Sequence, residues 1–440
     1  MSGRDTSGLG VADMFAHAID ADAARGARRG GHAWTPGRER RRPTRRTEAT
    51  GLGPDLWELE LHPVRALEDL APDIERVERD ATEPNVFFTL PFLRAAYPRL
   101  ARTRGRRVGP VLLLCLYLTR ADADGIDRRR LVLFLPLLTP QLGWPGRVAA
   151  TAASSEFTPL GTPLVARDVL DEAIERLLML LADPAMTLPP LLALPDARID
   201  GPVAQGFRRA AATLGLPSRG VQMHERAAHF AGADLALSRK RERDYARQLR
   251  RLEERGRIEF DEARTETAVL DAFEAFVALE LATWKGRRGS ALYNRKHITA
   301  FSRQAVAALA QREACAIHSL KLDGRTIASL IVLGDRGSGL CTWKTAFDAR
   351  HSAASPGVQV LLTATKALDA EFEAGTVIDS LAVPDHPVMD RVWSGRLAMG
   401  TLLVGLNSRA TPDVEGLAAA IERRDRLRAW LKAVRSALPV

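Results

Sequence analysis

The chain has 440 residues, and its 46% hydrophobic and 27% charged content is that of an ordinary globular protein of two or three domains. No stretch reaches the roughly 18 uncharged apolar residues that a membrane span needs, and the N-terminus lacks the apolar segment of a secretory signal. The three cysteines, Cys115, Cys315 and Cys341, lack the spacing of a zinc site or a disulfide framework. We therefore expect a cytoplasmic protein with no transmembrane segment, whose cysteines are reduced core residues.

Basic residues outnumber acidic ones by 63 to 54, for a net charge of +9, and most of them are arginine. Aromatic residues make up only 6% of the chain, so the stacking groups of a nucleic-acid interface are scarce. Residues 1–50 are rich in Gly, Arg, Ala and Pro, which predicts a disordered tail. This tail is either solvated or a tether for an anionic surface or a nucleic acid.

After the tail, the hydrophobic pattern predicts alternating helices and strands. The first half contains a helix over 64–79, a short helix within 87–100, strands at 111–120 and 131–138, a strand ending near 165, a helix over 167–181, a strand ending at 196 and a helix over 207–214. The second half contains a helix over 267–285, paired strands at 315–324 and 326–335, a strand at 340–348, a helix over 355–375, a strand at 377–385, a short helix at 386–393 and a strand at 400–407.

The two halves share the order of their elements. Two short matches support a duplication, because Thr162–Val165 aligns with Ser355–Val358 and Leu192–Asp196 aligns with Leu381–Asp385 at nearly the same offset. The first match is predicted to open a helix in both copies, and the second to end a strand. We predict a tail over 1–50, a first domain over 51–215, a second domain over 216–410 and a C-terminal basic helix over 411–440.

A strongly basic helix is predicted between the halves, within 237–257. Tyr245, Leu249 and Leu252 fall on one helical face, and most of the remaining positions are charged. Two interpretations stay open. The helix docks through this narrow stripe and exposes a solvated face, or its charge guides a phosphorylated or polyanionic substrate.

The sequence Ser355-Pro356-Gly357 opens the helix over 355–375 and is the most informative local feature. Serine is a good N-cap, proline suits the first helical position, and glycine lets a ligand approach the backbone. Free amides and the helix dipole favour a phosphate there, and Arg350 could add a charge-assisted bond. The alternative is simply a well-capped helix. In the first copy the glycine position holds Leu164, so that copy is predicted to be structural.

Three titratable residues near this helix are candidates for catalysis. Lys344 lies in a strand beside Trp343 and could stabilise a developing oxyanion, while Asp385 or His386 could serve as a general base at a strand end. Asp385 could equally be a structural turn residue, because it aligns with Asp196. His224 and His229 have no acidic partner at ligand spacing, so no metal site is expected.

A glycine-rich basic loop follows the helix over 267–285, in Trp284-Lys285-Gly286-Arg287-Arg288-Gly289-Ser290. It could contact a phosphate or carboxylate of a substrate, or it could be a helix C-cap whose basic residues face the dipole. No GxSxG, P-loop, HExxH or strand-linked GxGxxG motif is present, which disfavours a lipase, a kinase, a zinc protease and a Rossmann dehydrogenase.

Several of these pieces together resemble the GNAT superfamily of acyltransferases, and more closely its double-domain branch of FemAB-like transferases and CelD-type cellulose-biosynthesis proteins. The resemblance spans about 55–407 and rests on Leu279-Glu280, Trp284-Lys285-Gly286, Gly289-Ser290-Ala291-Leu292, Trp343-Lys344-Thr345-Ala346-Phe347-Asp348 and Ser355-Pro356-Gly357. The usual GNAT loop, R/Q-x-x-G-x-G/A, is represented by Arg350–Gly357 with one glycine only.

This resemblance implies a mixed α/β fold of two tandem GNAT-like domains, with acetyl-CoA or another acyl-CoA bound by the second domain and no metal. The pantetheine would pair with the strand over 342–347, and the pyrophosphate would lie at 355–359. The implied cofactor-binding residues are Thr345, Ala346, Arg350, Ser355, Gly357, Val358 and Gln359. The implied substrate-binding residues are Trp284, Lys285 and Trp343, and the candidate catalytic residues are Lys344, Asp385 and His386.

The implied activity is N-acylation of an amine, in a polysaccharide or cell-envelope precursor or a related small molecule. Two alternatives stay open. One is a catalytically weak GNAT-like interaction module in exopolysaccharide or cellulose production, and the other is a Fem-type transferase that uses aminoacyl-tRNA as donor.

Overall fold

The structure is a computed structural model, and it describes residues 45–49, 55–97, 111–121, 125–139, 148–151, 157–282 and 296–437. Most of the predicted tail and the loop with Trp284 and Lys285 lie outside these ranges. Among the described residues, no helix is long and apolar enough to cross a membrane.

The first half of the chain alternates strands and helices. Its elements are β1 (Arg45–Ala49), β2 (Leu56–Pro63), α1 (Ala71–Arg79), α2 (Leu90–Ala96), β3 (Val111–Ala121), β4 (Asp127–Leu138), β5 (Ala149–Thr151), β6 (Leu164–Val165), α3 (Leu170–Leu181), β7 (Leu191–Arg198), α4 (Pro202–Thr213) and β8 (Ser218–Phe230). In α3, Ile174, Leu177, Leu178 and Leu181 recur at spacings of three and one and are buried, which is the apolar stripe of a core-facing helix.

The second half starts with the basic helix. Its elements are α5 (Arg239–Glu253), β9 (Ile258–Ala263), α6 (Glu266–Ala282), α7 (Lys296–Ala310), β10 (Cys315–Leu322), β11 (Arg325–Leu333), β12 (Leu340–Phe347), α8 (Pro356–Glu371), β13 (Val377–Asp379), α9 (Met389–Val392), β14 (Gly395–Gly405) and α10 (Thr411–Ala437).

The element order confirms the predicted tandem fold. β2 corresponds to β9, the pair α1–α2 to α6–α7, β3 and β4 to β10 and β11, and the broken pair β5 and β6 to β12. α3 then corresponds to α8, β7 to β13, α4 to α9 and β8 to β14. The pairing follows the same order, because β5 and β7 are parallel and so are β12 and β13. The fold is a mixed α/β fold of two GNAT-like copies.

The two copies exchange their last strands. The described strands form one 14-stranded sheet in which β14 lies between β7 and β8, and β8 lies between β14 and β13. β14 therefore pairs antiparallel with β7 of the first copy, and β8 pairs antiparallel with β13 of the second copy. The two last strands, β8 and β14, also pair antiparallel with each other. The boundary at 215 and 216 stays a prediction, and we propose to count β8 in the first copy because it corresponds to β14.

Helices cover both faces of the sheet of the second copy. Ile331 and Leu333 of β11 lie in a core shared with the first copy, on the side of α6 and α7, whereas Leu330 and Val332 pack on the side of α8. Successive side chains of a strand point to opposite faces, so this alternation assigns each face of the sheet to one helix layer. The shared core joins the copies through apolar contacts.

The structure corrects three sequence-based expectations. Arg45–Ala49 lie within the predicted disordered tail but form β1, which pairs with β2 at the edge of the sheet. Thr162–Val165 do not open a helix, because Leu164–Val165 are a buried strand that pairs with β4. The strand predicted over 377–385 ends at Asp379, because Leu381 takes a positive φ of 50° that turns the chain away.

His318 on β10 predicts a dependence of stability on pH. Desolvation lowers the pKa of its imidazole below the ordinary 6.5, with Arg264 acting in the same direction and Glu262 and Glu371 opposing it. The stability that the neutral ring contributes is therefore complete above pH 6.5 and is lost as the pH falls through the lowered pKa. We expect acidification to lower the free energy of unfolding more in the wild type than in His318→Gln. Urea denaturation at pH 6.5 and below measures the free energy of unfolding of the wild type and of His318→Gln. An equal decrease in the two proteins would contradict the prediction.

Candidate functional site

A notch between β12 and β13 is the main feature of the second copy. The two strands run parallel over a short stretch, in which Leu340–Cys341 pair with Ile378–Asp379. Thr342 makes the next contact between the two chain segments, since its Oγ1 donates to the carbonyl oxygen of Ser380 at 2.9 Å.

Beyond Ser380 the two chains separate. Leu381 turns away, whereas β12 continues to Phe347 and pairs on its other side with β11. Within the described residues, no strand pairs with the edge of β12 from Trp343 to Phe347. The backbone amides and carbonyls along this edge therefore border the notch, where an extended ligand can add to the sheet.

A β-bulge interrupts β12 at the beginning of the notch. The register changes from Val332–Thr342 to Ile331–Lys344, so Trp343 is the extra residue. Bulges re-aim side chains. Two neighbours on β12, Trp343 and Lys344, both reach Phe157 of the first copy.

The Trp343 indole N–H donates to the carbonyl oxygen of Phe157 at 3.0 Å, and Lys344 Nζ lies 4.8 Å from the centroid of the Phe157 ring. The indole is buried and meets Phe92 and Phe301 edge to face at 6.4 and 6.2 Å. Trp343 thus packs where the copies meet, and its predicted contact with a substrate stays a prediction. The half-buried ammonium of Lys344 is held at the same junction by a cation–π contact.

The N-terminus of α8 lies at the other end of the notch. Ser355 occupies the N-cap position, but its backbone is left-handed (φ 48°, ψ 50°) and its side chain makes no capping hydrogen bond. The predicted hydroxyl cap is therefore wrong, because N-cap side chains reach the first-turn amides from an extended backbone. The amides of Val358 and Gln359 donate instead to the carbonyl oxygen of Ser355. Since Pro356 has no N–H, Gly357 offers the first-turn amide that has no hydrogen bond to any described residue.

Gly357 packs directly beneath an aromatic ring of β12. A Cβ added at Gly357 would lie 3.3 Å from Cδ1 of Phe347, which is 40% exposed. The absence of a side chain therefore keeps the end of β12 close to the start of α8. This contact is a structural reason for the glycine, beside the predicted close approach of a ligand.

Arg350 is already engaged with a carboxylate. Its Nε donates to both carboxylate oxygens of Asp348 at 3.0 Å, and this pairing lowers the pKa of Asp348 to about 2. The Arg350 side chain as a whole is 64% exposed, so its Nη1 donors can still reach an anion. The predicted contact with a phosphate is compatible with this geometry and stays a prediction.

Gln359 connects α8 to the basic helix α5. Its Nε2 donates to the carbonyl oxygen of Tyr245 at 2.9 Å, so its side chain serves a structural contact. Leu252 is buried and Tyr245 packs against the same core, which confirms that α5 docks through its narrow apolar stripe. Six basic residues lie on the opposite, exposed side of the helix: Arg239, Lys240, Arg243, Arg247, Arg250 and Arg251.

The candidate general bases Asp385 and His386 lie in the turn after β13. Asp385 is exposed with a positive φ of 58°. His386 Nδ1 accepts hydrogen bonds from the amides of Val388 and Met389, at 3.3 and 3.2 Å, and so caps the start of α9. Proton abstraction by Nδ1 would cost both capping bonds.

A pocket of about 360 Å³ lies between the two copies, at the point where β12 and β13 separate. Cys341 and Asp379 are directly paired, so both point to the face opposite α8 and line the pocket there. The first copy contributes Glu83, Val86 and Phe87. Burial raises the pKa of Glu83, while the Val203 amide, which donates to its Oε1 at 2.8 Å, opposes that shift.

A buried ion pair supports the wall of this pocket. Arg226 on β8 is 3% exposed, and its Nη1 donates to Asp379 Oδ2 and to the carbonyl oxygen of Pro159, both at 3.1 Å. Asp379 Oδ1 accepts the Leu381 amide at 2.8 Å, where the chain leaves the sheet. Glu83, Arg226 and Asp379 cannot be identified as site residues from the sequence alone, because only strand exchange and packing of the copies bring them together.

The three cysteines are free and buried, as predicted. Burial raises the pKa of each thiol, which keeps it protonated at neutral pH. Within the described part of the chain, no group of three His, Cys, Asp or Glu side chains could hold a metal ion.

Comparison with known proteins gives one match by sequence and several by structure. A model of the acetyltransferase (GNAT) domain family matches residues 239–379, and no curated protein matches the chain. FemX is similar in structure at 11% identity, over 77% of this chain and 96% of that chain, with a TM-score of 0.48.

Two further solved structures are similar at low identity. The C-terminal domain of a putative lysylphosphatidylglycerol synthetase from Agrobacterium fabrum has 11% identity over 82% of this chain and 96% of its own, with a TM-score of 0.45. A tandem GNAT protein from the clavulanic acid biosynthesis pathway has 16% identity over 79% and 99%, with a TM-score of 0.36. The family match covers β12, the N-terminus of α8 and β13, so residues 239–379 are similar to a GNAT acetyltransferase domain.

Proposed function

We propose that the protein is an acyl-CoA-dependent N-acyltransferase whose donor binds in the second copy. The observation that carries this proposal is the notch between β12 and β13, which leads to the N-terminus of α8 inside the segment matched by the acetyltransferase family. The pantetheine would pair with Trp343–Phe347, including Thr345 and Ala346. The diphosphate would accept from the amide of Gly357 and from Arg350, at the positive end of the α8 dipole.

The proposed chemistry is attack of an amine on the thioester carbonyl. The C–N bond forms as the carbonyl oxygen becomes an oxyanion, and collapse of this intermediate breaks the C–S bond and releases CoA. Backbone amides at the Trp343 bulge and the ammonium of Lys344 would stabilise the oxyanion. Asp385 and His386 stay candidates for the base that accepts the proton of the amine.

The pocket between the copies is our candidate for the acceptor site. It opens at the apex of the notch, its walls are largely apolar, and the carboxylates of Glu83 and Asp379 suit an ammonium group. The acceptor class that we propose is an amine of a polysaccharide or cell-envelope precursor. An assay of free CoA release with amino sugars tests this, with the same reaction lacking an amino sugar as the reference. If no amino sugar accelerates CoA release, the assignment of the acceptor fails.

Replacement of Lys344 tests the catalytic role directly. We expect Lys344→Met to lower kcat about a hundredfold, which is typical for the loss of one oxyanion donor, and to leave the dissociation constant of the donor unchanged. Lys366→Met on the exposed side of α8 is the matched control and should keep full activity. A kcat within twofold of wild type for Lys344→Met would exclude the role.

The basic face of α5 favours a second candidate, a Fem-type transferase that uses aminoacyl-tRNA. A protein that neutralises several phosphates loses affinity steeply as salt rises. A tRNA affinity that falls with salt, and that Arg243→Gln/Arg250→Gln reduces, would support this donor. If tRNA does not bind in this titration, acyl-CoA is favoured as the donor. If neither donor binds, the CelD-type interaction module would be the remaining candidate.

A further inference from the structure

The C-terminal helix α10 carries two apolar stripes on different sides. In its first half, Val414, Leu417, Ala418 and Ile421 are buried against the sheet in a core with Val221 of β8 and Leu403 of β14. Arg219 of β8 pairs with Glu422 at 2.8 Å, and Gln222 donates to Asp425 at 2.8 Å. These contacts fix the helix to the protein up to residue 425.

The second stripe begins where these contacts end. Leu427, Trp430, Leu431 and Val434 follow the spacing of one helical face. At 3.6 residues per turn this face lies about 140° around the helix from the buried stripe. Leu427 is 51% exposed and Trp430 is 60% exposed, so the stripe points away from the body of the protein.

Cationic side chains flank the exposed stripe. Arg423, Arg424 and Arg426 lie within about 90° of its centre around the helix, and the ion-pair distances of Asp425 to Arg424 and Arg428 are long, at 3.7 and 3.8 Å. In the described part of the chain, Arg423 and Arg426 pair with no carboxylate. An exposed apolar face with arginines beside it is the pattern of a helix that lies in a lipid interface.

We propose that the end of α10, from Arg423 to Val434, binds an anionic lipid surface. The apolar stripe would enter the acyl boundary, Trp430 would lie at headgroup level, and the arginines would contact lipid phosphates. A second copy of the chain fits less well, because a symmetric pairing of this stripe would bring the same arginines face to face. Four side chains also bury less than the roughly 800 Å² per partner of a stable interface.

Vesicle sedimentation of the full-length protein tests the proposal. We expect binding to vesicles of phosphatidylcholine with phosphatidylglycerol, weaker binding to phosphatidylcholine alone, and a loss of binding as salt rises. Leu427→Ser/Trp430→Ser should weaken binding on the order of tenfold or more, because two buried apolar side chains are lost. Both side chains are exposed, so the variant should keep the thermal midpoint of the wild type. Ile126→Ser, on another exposed apolar residue, is the matched control and should bind like the wild type.

Three results would overturn the proposal. The first is that the wild-type protein does not bind anionic vesicles, and the second is that the double variant binds them as tightly as the wild type. The third is a wild-type dimer in sedimentation equilibrium that the double variant abolishes, without vesicle binding, since the stripe would then be an interface between copies.

Discussion

Gly357→Asp should abolish the binding of acyl-CoA while the protein stays folded. The new carboxylate would stand at the amide where we place the diphosphate, and repulsion between close like charges is worth a few kcal/mol, on the order of a hundredfold in affinity. An acidic residue at a helix N-terminus is favourable to the helix dipole, so the fold should tolerate it. Isothermal titration calorimetry with the acyl-CoA that binds the wild type measures the loss.

Gly357→Ala separates the charge effect from packing. Its Cβ meets only the exposed ring of Phe347, at 3.3 Å, and that ring can move. We expect less than about a fivefold loss of affinity for this variant, which is about 1 kcal/mol. Equal losses for alanine and aspartate would mean that the end of β12, rather than an anion site, depends on the glycine. Retained binding in Gly357→Asp would remove the site assignment.

Asp379→Ala should have the largest effect on stability. It leaves the buried guanidinium of Arg226 with only the more distant carboxylate of Asp196, at 4.0 Å, and breaking a buried ion pair in this way costs about 3–5 kcal/mol. Asp271→Ala, at an exposed position of α6, should stay within about 0.5 kcal/mol of the wild type. Urea denaturation measures both free energies of unfolding.

The double variant Arg226→Met/Asp379→Leu completes this test. Replacing both charges with apolar groups also removes the buried guanidinium, so we expect the double variant to be more stable than Asp379→Ala. If Asp379→Ala has the same free energy of unfolding as the wild type, the ion pair of Arg226 and Asp379 does not hold the exchanged strand β8 against β13.

Local patterns predicted much of the fold. The apolar runs of β3 and β4, the Asp323-Gly324 turn between β10 and β11, and the stripe of α5 all appear where the sequence indicates them. The tandem order was also predictable from the sequence, since each copy repeats the same series of elements. The end of β13 is not predictable from this pattern, because the apolar residues Leu381–Val383 indicate a continuing strand although the backbone turns at Leu381.

The candidate site was only partly predictable. The strand with Lys344 and the start of α8 were identified from residue types alone, since proline and glycine mark the helix start. The left-handed backbone of Ser355 and the engagement of Arg350 with Asp348 depend on the three-dimensional arrangement of the loop. Glu83 and Arg226 are distant in sequence from Asp379; packing of the two copies brings Glu83 and Asp379 to one pocket, and the exchange of β8 brings Arg226 beside Asp379.

A thermal-shift titration of the wild type with acetyl-CoA, longer acyl-CoAs and free CoA tests the central claim most directly. At about 100 times the dissociation constant, a ligand that binds only the folded state adds about 2.7 kcal/mol of stability. At roughly 2–4 °C per kcal/mol this is a rise of several degrees in Tm. We predict such a rise with at least one acyl-CoA and its loss in Gly357→Asp. An unchanged Tm with every acyl-CoA and with free CoA would contradict the claim that the second copy binds an acyl-CoA donor.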